Sequence, residues 1–339
     1  MQANWQQFLT EQGAIIEDGI VQHFGDIAAE LAATAKENVL CDIGQFSTLR
    51  VSGEDAQNFL QNLLSNDIKE VSATRAQYSS FNTAKGRMLA NFLIWMDGND
   101  YLLQLPNTLA EMLRKKLSMY VLRTKVKIVC DESIALGISG TSAQLPVNCS
   151  ELPVLGVLRA ENTTVIKLGD TRFMFCTSPE KAKALWQTLS KAARPTGSTC
   201  WDWLNIRAGI PVMLEKTQEE FVPQMVNFDL IGGINFKKGC YPGQEIVARM
   251  HYLGKLKRRM YFARVASTTA PKSGDNLYSE DMAGQASGKI ANAAPSPMGG
   301  YDVLAVVQIA SRDAHQIHLG SLQGPALSFE PLPYSLPSS

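Results

Sequence analysis

The order of apolar and polar residues predicts short helices and strands mixed along the first part of the chain. Residues 26–37 have helical composition, and "CDIGQFSTLRVSG" (41–53) is typical of a strand followed by a turn. "GEDAQNFLQNLL" (53–64) places four apolar side chains on one helical face, and Ser52 is the expected N-cap. These signals predict helix, strand and helix in succession.

The next stretch favours a β-hairpin followed by a helix. "SSFNTAKGRMLANFLIWMDGNDYLLQL" (79–105) contains two β-rich runs separated by the turn "DGND" and preceded by the turn "AKGR". Asn107 is the expected start of the amphipathic helix "TLAEMLRKKLSMYV". Strands mixed with helices, without strict βαβ alternation, predict an α+β fold.

The second half changes character along its length. Short strands are expected from 126 to 176, then a helix with Pro179 in its first turn and a helix closed by Gly209. Beyond Lys257, short apolar runs alternate with Gly, Pro, Asn and Ser, which predicts a small all-β barrel.

Composition narrows the class of protein. The chain has 339 residues, 45% hydrophobic and 19% charged, which suits two or three globular cores. It contains no apolar run of the roughly 18 to 20 residues that a membrane span needs, and its N-terminus lacks the pattern of a signal peptide. We therefore expect a cytoplasmic protein without a membrane partner. That it is a monomer is a separate expectation.

Cysteine spacing and net charge exclude further classes. The six cysteines are scattered without close pairs, so we expect no metal site and mostly buried thiols. A formal net charge of zero argues against nonspecific coating of nucleic acid. Two basic runs, over 114–127 and 236–260, are either solvated faces or anion-binding surfaces.

One cysteine has chemically suggestive neighbours. In "FKKGCYPGQEIVAR" (236–249), Cys240 follows two lysines and precedes a Pro-Gly turn and a helix expected from Pro242. Cations and a helix N-terminus stabilise a thiolate, so Cys240 is either a reactive thiol or a packing residue near a turn. Because His251 lies about three turns away along that helix, a protease-like dyad is not expected.

Several motifs together resemble those of a known family. "KKGCYPGQEIVAR" resembles the Lys-Gly-Cys-Tyr-x-Gly-Gln-Glu signature of the YgfZ family, whose fold is similar to that of the glycine-cleavage T protein. "TAKGRM" resembles the second motif of the family, and "EPLPYSL" resembles the C-terminus of its bacterial members. The match runs from roughly residue 38 to the end of the chain.

The resemblance implies a ring of three domains around a channel that holds tetrahydrofolate or a one-carbon-substituted form. We expect a folate-binding region over 1–245 and a β-barrel over 246–335. The folate-binding region would comprise two interleaved subdomains, one centred on about 50–128 and the other on about 129–245 plus the N-terminal segment.

The resemblance also implies site residues. The signature supplies Cys240 as a functional thiol, with Lys238 and Glu245 as its catalytic neighbours. Trp201 matches a tryptophan of the family that lines the folate site. Phe46 falls where relatives place another tryptophan, so the chain departs from the family pattern at the second aromatic wall. The remaining expected folate contacts are Lys85, Arg87, Gln244 and Arg249.

The implied function is maintenance of Fe–S enzymes such as a tRNA methylthiotransferase, and thereby tRNA modification. Contact with tRNA through the basic runs is a further expectation. Cys240 could act as nucleophile, transient ligand or redox sensor. Near Asn107 the chain lacks the aspartate that assists folate chemistry in aminomethyltransferases, so we expect no glycine-cleavage activity. The alternatives are a folate-dependent one-carbon transferase and a tRNA-binding module without chemistry.

Overall fold

The computed structural model describes residues 1–140, 145, 149, 151–160, 162–252 and 254–337. The chain forms two compact units, each assembled from three segments. Unit 1 contains Met1–Ala56, Glu70–Gln77 and Leu93–Trp201, and unit 2 contains Gln57–Lys69, Tyr78–Phe92 and Asp202–Ser339. The domain boundaries expected from the sequence are a different division of the chain and stay a prediction.

Helices and strands are mixed along the chain. The α-helices are α1 (Ala3–Glu11), α2 (Ile27–Thr34), α3 (Ala56–Gln61), α4 (Asn107–Ser118), α5 (Pro179–Leu189), α6 (Ser198–Arg207), α7 (Gln244–Tyr252) and α8 (Ile309–Ala314). The first strands are β1 (Ile15–Glu17), β2 (Ile20–His23), β3 (Val39–Asp42), β4 (Phe46–Ser52), β5 (Gln77–Asn82), β6 (Met88–Asp97), β7 (Asp100–Pro106), β8 (Lys127–Cys130), β9 (Ile134–Ser139) and β10 (Val157–Ala160). The later strands are β11 (Thr163–Lys167), β12 (Arg172–Thr177), β13 (Arg194–Thr196), β14 (Arg258–Val265), β15 (Asn276–Tyr278), β16 (Ala286–Pro295), β17 (Tyr301–Gln308), β18 (His318–Leu319) and β19 (Leu327–Glu330). Single 3₁₀ turns occur at Ile68–Glu70, Glu215–Thr217, Pro223–Val226 and Glu280–Met282.

Most helix limits follow their local signals. Asp26 caps α2 by accepting the N–H groups of Ala28 and Ala29, and α4 begins at Asn107 as predicted. Pro179 occupies the first turn of α5, and Gly209 adopts φ +65° just after α6, as expected of a glycine at a helix end. No helix among these described segments combines the length and apolar character that a membrane span requires.

Helix α3 is shorter than the prediction over 53–64. Ser52 cannot cap it, because Ser52 ends β4 and pairs with Lys127 of β8. The helix stops at Gln61, and Leu64 instead forms an isolated bridge with Phe81. Leu64 and its apolar neighbours are still buried, since an apolar pattern specifies burial more firmly than the length of a short helix.

Unit 1 is built on a six-stranded sheet in the order β10-β11-β12-β9-β3-β13. Its pairings are antiparallel except that of β13 with β3. Helices α1 and α5 contribute to its apolar core, in which Trp186 stacks on Phe24 and meets Trp5 edge to face. These contacts join the N-terminal segment to residues more than 150 positions later.

A further sheet has five strands in the order β5-β6-β7-β4-β8. Within unit 1, the end of β6 pairs with β7 across the predicted "DGND" turn, where Asp97 faces Asp100 and Gly98 has φ +61°.

Unit 2 contains the predicted β-barrel, a sheet in the order β18-β15-β16-β17-β14-β19. An isolated bridge pairs His318 of β18 with Ala326, the residue that precedes β19. This bridge joins the two edge strands and so closes the sheet. Alternate side chains of β14 and β17, such as Ala263, Val265, Val303 and Ala305, fill its core.

Candidate functional site

Seven of the nine residues expected at the site belong to unit 2, and Phe46 and Trp201 belong to unit 1. The seven lie in two segments. One is the turn over 83–87; the other, called the signature loop here, is residues 236–243 together with the start of α7. Each unit is therefore described separately.

The signature loop exposes Cys240 between buried anchors. Lys238 and Tyr241 are buried, whereas Gly239 and Cys240 between them are exposed. The Gln244 side chain donates from Nε2 to the Lys238 carbonyl oxygen at 3.1 Å, and the Gln244 N–H donates to the Tyr241 carbonyl at 3.1 Å. Burial raises the pKa of Tyr241 well above its usual range, so its phenol stays neutral. The thiol thus projects from a loop that is fixed on both sides.

Lys238 is held in a cage of backbone carbonyls. Its Nζ donates to carbonyl oxygens at the end of α3 and just after it, at 2.6 Å to Gln61, 2.5 Å to Leu64 and 3.0 Å to Asn66. An ammonium has three donors, so this cage uses all of them. Burial lowers the pKa of Lys238 to about 8, and the Asp67 charge opposes that change. All donors of the Lys238 ammonium are therefore bound to carbonyl oxygens. Lys237, the other cation near Cys240 in the sequence, is exposed.

The two motifs of the resemblance meet at two glycines. A Cβ on Gly243 would lie 2.4 Å from the Thr83 carbonyl oxygen and 2.5 Å from the Gly86 Cα. Both glycines have positive φ, +81° at Gly243 and +70° at Gly86. Only glycine combines this backbone conformation with such an approach. The "AKGR" turn and the "YPGQ" turn therefore form one backbone-to-backbone contact.

The "AKGR" turn fixes one of its basic residues and exposes the other. Thr83 and Arg87 exchange backbone and side-chain hydrogen bonds across the turn, and the Arg87 guanidinium donates to the Glu220 carbonyl oxygen. Lys85 is exposed and has no side-chain partner among the described residues. Of these two predicted folate contacts, Lys85 has the side chain that a ligand could reach directly.

Helix α7 begins at Gln244, two residues later than predicted, because Pro242 and Gly243 form the turn before it. The Gln224 side chain donates to the Val247 carbonyl at 2.7 Å, and the Phe236 ring stacks on His251 with centroids 3.7 Å apart. Glu245 lies in the first turn, where a carboxylate is favourable to the helix dipole. Glu245 and Arg249 are both exposed.

The C-terminal motif also has a fixed place in unit 2. The Tyr334 hydroxyl donates to the Gly209 carbonyl at 2.7 Å and accepts from the Asn227 side chain at 3.3 Å. A Cβ on Gly209 would lie 2.7 Å from the Tyr334 ring. "EPLPYSL" therefore anchors the end of the chain on the turn that closes α6.

In unit 1, Trp201 is a packed residue. It is 2% exposed and lies against Gly137 of β9, where a Cβ would come within 2.5 Å of its ring. The Arg172 guanidinium carbon lies 5.5 Å from the ring centroid. Phe46 is half-buried instead and lines a pocket of about 260 Å³. Of the two expected aromatic walls, Phe46 has the adjacent open volume.

That pocket includes a carboxyl group that the sequence did not point to. Asp42 accepts the Trp5 indole N–H at 2.8 Å and the Gly44 N–H at 3.1 Å. Burial raises the pKa of Asp42 to about 6 despite both hydrogen bonds. The position of Asp42 inside the apolar run "NVLCDIG" is the sequence feature that could have indicated a buried carboxyl group.

Comparisons with known proteins place the chain in a family. A family model described as the GCVT N-terminal domain matches residues 22–147. The tRNA-modifying protein YgfZ of Photobacterium profundum is 32% identical over 242 residues, which are 70% of this chain and 73% of the relative. The chain belongs to the YgfZ family. The YgfZ proteins of Edwardsiella ictaluri and Shigella boydii serotype 4 are 30% and 28% identical, over 73% and 88% of this chain and 77% and 93% of theirs.

A solved structure supports the fold of this member of the YgfZ family. The glycine cleavage system aminomethyltransferase T from Bartonella henselae matches with a TM-score of 0.79 at 18% identity, over 97% of this chain and 96% of that one. This similarity confirms the predicted α+β fold resembling the T protein. At that identity it concerns the fold alone.

Proposed function

We propose that this member of the YgfZ family is a folate-binding accessory protein that supports Fe–S enzymes and thereby tRNA modification, with Cys240 as its functional thiol. The observation that carries the proposal is an exposed thiol in the signature loop, between two anchored neighbours. Relatives that are 32% and 28% identical to this chain are named as tRNA-modifying proteins.

The exposure of Cys240 is what separates it from the packing cysteines. Cys41, Cys149, Cys176 and Cys200 are buried, and burial raises the pKa of the Cys176 thiol far above its usual range. Only Cys130 is also exposed, and it lies at the end of β8, outside any motif of the family. All six cysteines are free thiols.

If Cys240 binds a metal, further metal ligands would have to join it. The described residues contain no group of three His, Cys, Asp or Glu side chains placed to hold a metal ion. A cluster ligated by Cys240 would therefore need ligands beyond those that the described residues group together. Nucleophilic attack by the thiolate needs no such ligands and stays an equal candidate.

Folate binding is supported by two features of the residues. In unit 2, the exposed cations Lys85 and Arg249 suit the carboxylates of a folate tail. In unit 1, taken by itself, Phe46 offers an aromatic face beside an open pocket. Trp201 does not offer such a face unless its neighbours move. A bound folate would supply one-carbon chemistry.

Complementation tests the thiol. A strain that lacks the protein should regain tRNA thiomethylation, measured by mass spectrometry of tRNA nucleosides, with the wild type and with Cys130→Ser. Cys240→Ser, which is nearly isosteric, should fail to restore it although the protein accumulates. Full rescue by Cys240→Ser would remove the thiol from the function.

Binding tests the cofactor separately. Tetrahydrofolate titration should give weaker binding for Lys85→Gln and Arg249→Gln, by about 2- to 5-fold each, the scale of an exposed ion pair of up to about 1 kcal/mol. Lys272→Gln, an exposed lysine in the same unit, is the control. Wild-type protein that shows no saturable binding would refute the folate part of the proposal.

A further inference from the structure

The turn that follows α4 exposes apolar side chains that a folded protein normally buries. Met119 is 73% exposed, Tyr120 is 48% exposed and Leu122 is 88% exposed. They belong to the segment 119–126, called the α4–β8 turn here, which lies entirely within unit 1. Clustered exposed apolar side chains mark interaction surfaces more often than isolated ones do.

The α4–β8 turn is held in place although three of its apolar side chains are exposed. Leu117 before it and Ile128 after it are buried, and the Thr124 N–H and hydroxyl both donate to the Val121 carbonyl, at 2.8 and 2.6 Å. Leu122 adopts φ +42°, a left-handed conformation that is uncommon for a leucine. Glycine would suit this backbone better, so the backbone conformation does not account for a leucine at this position.

Cations lie on both sides of these apolar residues in the sequence. The basic residues of the region are Arg114, Lys115, Lys116, Arg123, Lys125 and Lys127. Glu111 pairs with the first two, and Glu54 pairs with Lys125 at 2.7 Å. Lys116, Arg123 and Lys127 have no side-chain partner among the described residues. In a chain of zero net charge, this local excess favours a polyanionic partner.

The mixture of groups favours RNA among polyanions. Nucleic-acid-binding surfaces combine cations for phosphates with an aromatic ring on which an unpaired base stacks. Leucine and methionine serve as apolar wedges between bases. Helix α4 offers no second apolar face for a lipid surface, because Leu109, Leu113 and Leu117 are buried in unit 1.

We propose that the α4–β8 turn is an RNA-contacting surface, in which Lys116, Arg123 and Lys127 bind phosphates, Tyr120 stacks on an unpaired base, and Leu122 and Met119 cover neighbouring base faces. This inference deepens the proposed function by giving tRNA a direct contact on the protein, and it rests on that function only for the choice of tRNA as the RNA.

Binding of purified total tRNA to the full chain, followed by fluorescence anisotropy at several salt concentrations, tests the surface. Replacing Lys116, Arg123 and Lys127 together by glutamine should weaken binding by 10-fold or more and reduce the slope of log K against log salt by about 2, at roughly 0.7 per contact to single-stranded RNA. The matched control replaces Lys36, Lys191 and Arg194, three exposed cations of the same unit, and should leave both quantities unchanged.

Two single variants distinguish an effect on tRNA binding from an effect on folding. Tyr120→Ala should weaken tRNA binding by about 10-fold, the scale of one stacked base. Leu122→Gly should weaken it by a few-fold while the thermal stability is kept or raised, because glycine relaxes the left-handed backbone. Loss of binding only together with loss of folded protein would contradict the proposal.

Three further outcomes would overturn the proposal of an RNA-contacting surface. The proposal fails if the wild type does not bind tRNA, if the control triple variant loses as much affinity as the test variant, or if Leu122→Gly loses binding to vesicles of anionic phospholipid but not to tRNA. Cys240→Ser should bind tRNA like the wild type. A failed complementation result for Cys240 and a failed binding result for this surface are therefore distinguishable.

Discussion

The Lys238 cage gives the sharpest test of how the signature loop is built. Lys238→Met keeps the length and apolar stem of the side chain but removes all three donors. The carbonyl oxygens of Leu64 and Asn66 are buried at this contact, whereas water can reach that of Gln61 more easily. Each buried acceptor left without a donor costs about 1 to 3 kcal/mol. Removing the buried ammonium offsets part of this, so we expect a net loss of about 3 kcal/mol in the stability of the local structure.

The neighbouring residue is a matched control. Lys237 is exposed, is next in sequence and carries the same charge, so Lys237→Met should leave stability unchanged within about 0.5 kcal/mol. Hydrogen exchange read by mass spectrometry on peptides covering 57–69 should be roughly 100-fold faster in Lys238→Met than in Lys237→Met, which corresponds to about 3 kcal/mol. Equal protection in the two variants would show that the carbonyl cage does not hold the loop.

Three further predictions concern the glycine contact, the buried carboxyl group and the buried tryptophan. Gly243→Ala should destabilise unit 2 by about 3 kcal/mol, because alanine is unfavourable at a positive φ and its Cβ would crowd the Thr83 carbonyl oxygen. The control Gly239→Ala has open space for a Cβ and should change stability little. Equal urea-unfolding midpoints for the two variants would contradict the contact between the two glycine turns. Burial raises the pKa of Asp42 to about 6, so between pH 4 and 6 the folded state holds a proton that the unfolded state has lost. The contribution of Asp42 to the free energy of unfolding should therefore fall by up to about 3 kcal/mol as pH rises from 4 to 7. A wild-type profile of stability against pH that Asp42→Asn does not flatten would refute this prediction. Trp201→Ala should lower the unfolding free energy of unit 1 by about 3 to 5 kcal/mol through a cavity, and a stable variant with only weakened folate binding would restore Trp201 as a ligand wall.

The local pattern of the chain was enough to predict most of its elements. Asn107, Pro179 and Gly209 act within one turn of their own helix, so their effects are visible in the sequence. The barrel strands follow from short apolar runs separated by Gly, Pro, Asn and Ser, which are also local signals. The octapeptide around Cys240 identified the family for the same reason, since its residues are contiguous.

The contacts that shape the site were decided by the tertiary structure. Lys238 and Leu64 are 174 residues apart, and no local periodicity predicts that a lysine beside the candidate thiol would bind carbonyls after α3. Gly86 and Gly243 each indicate a turn, but only the folded chain brings the two backbones together. Trp201 matches the family pattern better than Phe46 does in the sequence, yet packing on Gly137 buries Trp201. Sequence determines which local conformations are favourable; which distant groups satisfy each buried charge or fill each gap depends on long-range packing.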